Sequence, residues 1–169
     1  MISLQVFNAY ELCGSDRKFL KEFIIKKTDS TKYYPKIVSW LNDNVFIRGY
    51  YKKIILATTQ DNEKLSGWVH DDSPVGLAIV KLGKICHCSV SGSYMKQGIG
   101  AALFGMALRE ACEYYDTNSY RVRFTLPEIV WEENKDFFRL FGFNKPVLCN
   151  SNYRPKIKEL RCERRFKEK

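Results

Sequence analysis

Residues that break or loosen structure are scarce in this chain. It has ten glycines and five prolines in 169 residues, while 45% of the residues are apolar. That composition excludes collagen-like repeats and low-complexity disorder. No apolar run approaches the ~18 residues that a membrane-crossing helix needs, so no membrane association is expected. No five consecutive lysines or arginines occur, which argues against a dedicated nucleic-acid arm. Met1 to Phe7 lack the basic and long apolar regions of a secretion signal. The expectation is a soluble, cytoplasmic, single-domain protein over residues 1–169, monomeric or homodimeric, burying roughly 70% of its unfolded surface. No internal repeat or linker interrupts it.

Charge is plentiful and one-sided. Lys and Arg number 28 against 19 Asp and Glu, a formal net charge of +9. Residues 154–169 carry much of the excess, with Glu159, Glu163 and Glu168 as their acids. Such a field favours phosphates on a cofactor, nucleic acid or an acidic protein face, although a solvated surface tuned for solubility explains it equally well. The six cysteines, Cys13, Cys86, Cys88, Cys112, Cys149 and Cys162, are scattered, and several lie inside apolar patterns. A chain with an adequate core needs no disulfide frame, so reduced thiols acting as small hydrophobes are expected. Cys86-His87-Cys88 resembles a metal fragment but has no second ligand pair, and no metal is expected.

Along the chain, residues 3–9 suit a first strand. Ser15-Asp16 reads as a helix start, with Phe19, Leu20, Phe23 and Ile24 on one face and Arg17, Lys18, Lys21 and Glu22 opposite. A second helix is expected from Pro35, with Ile37, Val38, Trp40, Leu41 and Val45 as apolar positions. The runs 54–59, 75–80 and 85–90 are β-rich. Gln60 to Pro74 lies between the first two as a polar loop anchored by Trp68 and Val69, and Leu82-Gly83-Lys84 turns the chain between the second and third. The three make an antiparallel meander. A helix follows Gly100, with Leu103, Phe104, Ala107, Leu108, Ala111, Cys112 and Tyr115 as its apolar stripe, and Arg109, Glu110 and Glu113 off it. Asn118 and Ser119 end that helix. Tyr120–Leu126 is strand-like and closed by Pro127. A helix over 132–141 stops at Gly142, and 145–149 and 159–166 supply two last strands.

The most informative segment is a strand, then Gln97-Gly98-Ile99-Gly100, then a helix. Glycines at such a turn let the backbone approach a ligand, and the free N–H groups and positive dipole end of the helix favour a phosphate. The third glycine of a dinucleotide fingerprint is absent and antiparallel strands precede the loop. A Walker loop is also missing. Alone, the loop says anion at a helix N-terminus, or a tight turn.

The meander, Val90-x-x-x-Tyr94-x-x-x-Gly98-Ile99-Gly100-x-x-Leu103, a strand, and Phe137-Phe138-Arg139-Leu140-Phe141-Gly142-Phe143 together resemble the GNAT superfamily of acyl-CoA-dependent N-acyltransferases, over nearly the whole chain. The resemblance implies an α/β fold of the α+β type. It comprises a mixed, splayed central sheet with an antiparallel meander, two N-terminal helices, and two helices on the other face. It implies acetyl-CoA as co-substrate, wedged between the strands ending near Val90 and Leu126. Backbone N–H groups of Met95, Lys96, Gln97, Gly98, Ile99, Gly100 and Ala101 would hold the pyrophosphate. The main chain of Cys88, Ser89 and Val90 would fix the thioester arm and polarise its carbonyl. Phe138, also expected among the cofactor-binding residues, stands where a tyrosine acid is usual, Met95 where Arg or Gln usually opens the loop, and Trp131 where an asparagine is often found, with Asn134 three residues later.

Attack by an amine needs it deprotonated, which a carboxylate acting through water can do. Glu128, just past the strand ending at Leu126, is the catalytic candidate, with a solvated loop acid as the plainer reading. His87 has a suitable pKa class but sits among apolar neighbours. Cys88 lacks the partners of a thiol nucleophile. His70 and Tyr153 are further candidates, as substrate selector and replacement acid. The expected activity is N-acetyl transfer to a primary amine of unknown identity, one carried on an acidic macromolecule such as aminoacyl-tRNA or a protein fitting the basic charge. The alternatives are a catalytically inactive CoA-binding or partner-binding module of the same fold, and a plain nucleic-acid-binding domain. The last lacks interleaved aromatic and basic strand motifs.

Overall fold

Seven strands form one sheet in the order β1-β2-β3-β4-β5-β7-β6. The computed structural model describes residues 2–33, 37, 41, 52–59, 74–112, 119–149 and 158–167. The chain runs β1 (Ile2–Asn8), α1 (Gly14–Lys27), α2 (Ser30–Tyr33), β2 (Lys52–Thr59), β3 (Pro74–Lys81), β4 (Lys84–Val90), α3 (Ile99–Cys112), β5 (Ser119–Pro127), α4 (Glu128–Leu140), β6 (Val147–Cys149) and β7 (Glu159–Lys167). The expected meander is present and gains β1 as a fourth antiparallel member, in register from Ile2↔Thr59 to Asn8↔Lys53. The loop expected at 60–74 and most of the helix expected from Pro35 lie outside the described residues, but Ile37 and Leu41 are buried.

One irregularity in β4 matters for everything that follows. Ile79 pairs with His87 and Val80 with Ile85, leaving Cys86 as an extra residue, a bulge that resets which way side chains point. His87 and Ser89 lie opposite Ile79 and Leu77, on the face that carries α1, and Cys88 lies opposite Ala78, on the face that carries α3. The sheet therefore separates two cores. Leu20, Phe23 and Ile24 of α1 pack with Ile54, Leu56, Leu77 and Ile79 on one face. On the other, Leu103, Phe104 and Ala107 of α3 pack with Ile55, Val75, Val122 and Phe124.

Helix ends explain several departures from the sequence reading. Cys13, not Ser15, caps α1: Asp16 Oδ2 accepts from the Cys13 N–H at 3.1 Å and from its thiol at 2.9 Å. That carboxylate is buried at the helix start, where the dipole favours it. Phe19, expected on the apolar face, is instead exposed. Glu110, expected off the stripe of α3, is buried because Lys53 of β2 reaches across to it at 2.6 Å. Ser119 opens β5 rather than closing a helix. Helix α4 begins at Glu128, four residues early, because Pro127 caps it as well as ending β5. Its C-terminus closes as a Schellman turn. Phe143 N–H donates to Phe138 O, Gly142 N–H donates to Arg139 O, and Gly142 takes φ 82°.

The sheet is splayed. β4 and β5 run parallel and register only at Lys84↔Arg123. Beyond that pair no ladder joins them, while β5 stays fully laddered to β7 from Ser119↔Lys167 to Pro127↔Glu159. The edges of β4 and β5 that face each other beyond Lys84 thus lack their sheet partner.

Candidate functional site

Where β4 and β5 part, a cavity of about 600 Å³ opens through the sheet. Cys88, Ser89 and Val90 line one wall and Phe124, Thr125 and Leu126 the other. Its end on the α3 side is closed by Phe104, Phe137 and Phe138. Phe104 meets both α4 rings nearly edge-on, at centroid distances of 5.5 and 5.7 Å. Phe138 also stacks on Trp131 at 5.5 Å with 6° between planes. Such edge-on and stacked ring contacts fix the rings relative to one another.

The glycine loop forms the lip of the cavity. Met95, Lys96, Gly98, Gly100 and Ala101 line it, whereas Gln97 points to solvent and Ile99 is buried in the core below. Lys96 and Gly98 both adopt left-handed backbone, φ 61° and 81°. Gly98 is in a conformation that disfavours any side chain. A Cβ at Gly100 would stand 3.7 Å from Val90, so its absence keeps the backbone of the first turn open. The first N–H groups of α3 have no intrahelical acceptor by geometry, and Lys96 lines the same lip. That donor set fits an anion.

The α1 side of the cavity is polar. His87 Nε2 lies 2.9 Å from Ser89 Oγ and 3.4 Å from Ser30 Oγ. Ser30 Oγ lies 2.7 Å from Thr28 Oγ1, which donates to Ile24 O at 2.7 Å. Burial lowers the His87 imidazole to about 4, so it is neutral at pH 7. Burial pushes the Cys88 thiol up to about 12. A thiol that far from ionising is no nucleophile. Among the described residues, the carboxylates Asp29 and Glu133 line the cavity, together with Asn134. Asn134 departs from helical geometry, φ −130° and ψ 18°, and its side-chain amide donates to Val130 O at 2.9 Å.

Glu128 is not brought to the cavity. It is half exposed at the first turn of α4, its N–H donates to Lys158 O at 2.9 Å, and its carboxylate lies 3.9 Å from Lys158 Nζ. The helix starts directly after Pro127, and Glu128 is not among the residues that line the cavity. His70 and Tyr153 lie outside the described residues. Cys86 packs on the α1 face and Cys88 on the α3 face. Among the described residues no three His, Cys, Asp or Glu side chains are grouped to hold a metal. Asp29, Ser30, Thr125 and Glu133 had no sequence signal: Ser30 meets His87 across 57 residues of chain.

No family model and no curated protein sequence matches the chain. Solved structures do. A Desulfovibrio desulfuricans protein of the GNAT family superposes with a TM-score of 0.64 at 12% identity, covering 99% of each chain. Arabidopsis thaliana NAA60 in complex with a bisubstrate analogue gives 0.67 at 12% identity over 98% of this chain and 99% of that one, and it has also been solved with acetyl-CoA. An acyl-CoA N-acyltransferase from Pseudomonas aeruginosa gives 0.62 at 13% identity over 97% of this chain and 99% of that one. The fold is that of the GNAT superfamily.

Proposed function

We propose that the chain is an acyl-CoA-dependent N-acyltransferase, with acetyl the first group to test, acting on a primary amine by direct attack. One observation carries the reading: the glycine lip and the unladdered walls of β4 and β5 line one and the same cavity. An extended ligand with a phosphate end and a thioester end needs that pairing of parts. The lip offers N–H donors and Lys96 to the phosphates, and the apolar walls exclude water from the reacting end. Backbone N–H groups of Cys88–Val90 are the oxyanion donors of this reading. Acetyl-CoA supplies the activated acyl group. Phosphate charges on it also use part of the basic excess.

The acceptor amine enters in this reading from the α1 side, where Asp29 attracts an ammonium and Ser30, Ser89 and neutral His87 can accept hydrogen bonds from it. Glu128 stands outside the cavity, so Glu128→Gln should leave kcat within about twofold. Amines carried on proteins or on aminoacyl-tRNA, a cytoplasmic location and a single-domain organisation belong to the same reading. A second reading, a CoA-binding module without turnover, is favoured by Phe138, which sets a ring where a proton donor would serve.

The experiment is a thermal midpoint with and without millimolar acetyl-CoA, with ATP as polyanion control, followed by thiol release with a panel of amines. At a hundred times Kd, linkage adds about 2.7 kcal/mol, a rise of roughly 5–10 °C for a chain this size. A larger shift with acetyl-CoA than with ATP supports the cofactor, and turnover of any amine removes the second reading. Equal shifts would reduce the lip to a general anion site and overturn the proposal.

A further inference from the structure

The face of the sheet that carries α1 over its first half carries a ladder of cations over its second. Val122, Phe124 and Leu126 of β5 point into the core, so Arg121, Arg123 and Thr125 point the other way. No helix among the described residues crosses them. Across the strands the register places Lys81 opposite Lys84, Lys84 opposite Arg123, and Arg121 opposite Arg165, with Arg161 opposite Thr125 and one acid, Glu163, opposite Arg123 on its β7 side. Neighbouring strands lie about 4.8 Å apart, so these cations follow one another at about that spacing. Like charges directly opposite each other destabilise a sheet. Here three such registers stand side by side.

Two carboxylates of β7 share this face, Glu163 opposite Arg123 and Glu159 opposite Pro127 at the end of the strand. Glu163 lies 3.6 Å from Arg121 and 3.8 Å from Arg165, and both arginines remain more than half exposed. Arg123 and Arg161 are exposed, and among the described residues no carboxylate lies within ion-pair distance of either. Burial first, and the charges of Lys81 and Lys84 after it, lower the Lys52 ammonium at the end of the ladder, against an opposing effect of Cys86.

We propose that this ladder of β4, β5 and β7 is a docking face for the phosphate backbone of double-helical nucleic acid. Charge complementarity selects a polyanion. A second copy presenting the same face would set cation against cation, which disfavours a symmetric pair through it. Guanidinium predominates on β5 and β7, and its fork matches phosphate oxygens. The described positions of β5 and β7 on this face include no exposed aromatic ring, so unpaired bases have no stacking platform there. Backbone contact to a duplex is what such a surface can offer. Thr125, on this face in the row after Arg123, lines the cavity, so a bound duplex would lie beside the cavity mouth. The inference is independent of the acyltransferase reading, since binding is measured without any CoA.

The test is fluorescence anisotropy of a labelled RNA hairpin with the full chain from 50 to 300 mM KCl. About five engaged cations give a slope of log K against log salt of about −4. Lys84→Gln with Arg123→Gln should weaken binding at least tenfold at 100 mM salt and reduce the slope by about two. Lys18→Gln with Lys26→Gln, on exposed positions of α1, removes the same charge and should change affinity less than twofold. All variants should keep the wild-type thermal midpoint within a few degrees, which separates loss of binding from loss of fold. Absence of binding at 50 mM salt, equal weakening by both double variants, or tighter binding to single strands or to anionic phosphatidylserine vesicles than to the hairpin would overturn the proposal.

Discussion

The two halves of the sheet are built differently. β1 to β4 form a continuous antiparallel ladder whose two middle strands are buried on both faces. β5, β7 and β6 form a second ladder, apolar on one face and arginine-rich on the other. A single parallel pair, Lys84↔Arg123, joins them. The difference teaches where a binding site can arise without a dedicated pocket-forming loop: at a seam where two stable sheets diverge and leave backbone groups facing each other. The bulge at Cys86 then decides which β4 side chains reach which side of that seam.

The sharpest contrast is in packing. Leu77, fully buried in β3, should cost about 4 kcal/mol on substitution by Ala, and Val147→Ala, on the half-exposed edge strand β6, under 0.5 kcal/mol by urea unfolding. Similar losses at both sites would break the distinction between the halves. Next comes pH. The folded pKa of His87, about 4, lies below its unfolded value of 6.5, so the unfolded state binds the proton first. Its contribution is therefore complete above pH 6.5 and falls by about 3 kcal/mol as pH drops towards 4. His87→Asn should flatten that part of the profile relative to wild type. An unchanged difference between pH 7 and pH 4 would place His87 in water.

Smaller effects concern the elements that frame the seam. Gly142 takes φ 82°, and a Cβ there would meet the Arg164 side chain at 2.8 Å. Gly142→Ala should cost about 2 kcal/mol by straining the end of α4 that holds Phe138. Gly98→Ala meets no neighbour within 4 Å, so it should cost only about 1 kcal/mol of stability, from backbone strain. It should also diminish the thermal shift given by acetyl-CoA. A full shift in that variant would detach the lip from the ligand.

Much of this architecture was legible in the residues. β-branched runs marked β2 and β3, the glycine pair marked the start of α3, and Gly142 marked the end of α4, because each rests on a local conformational preference. What was not legible depends on distant contacts. Glu110 looked solvent-facing until Lys53 of β2 supplied a buried partner. Ser30, His87 and Thr125 come together only through tertiary packing. The missing ladder between β4 and β5 has no composition signal at all. Glu128 was misplaced for a local reason: proline ends a strand and begins a helix equally well, and only the structure shows Pro127 doing both. The basic excess was plain in the sequence, but its arrangement as a ladder needed the register of β4, β5 and β7.

The most direct test of the seam as the ligand site is a map of backbone amide shifts by NMR during titration with acetyl-CoA. The account predicts coupled, saturating changes at Cys88, Ser89 and Val90 on one wall, at Thr125 and Leu126 on the other, and at Gly98, Gly100 and Ala101 on the lip. Changes confined to the lip, or spread over exposed lysines and arginines with neither wall affected, would contradict it.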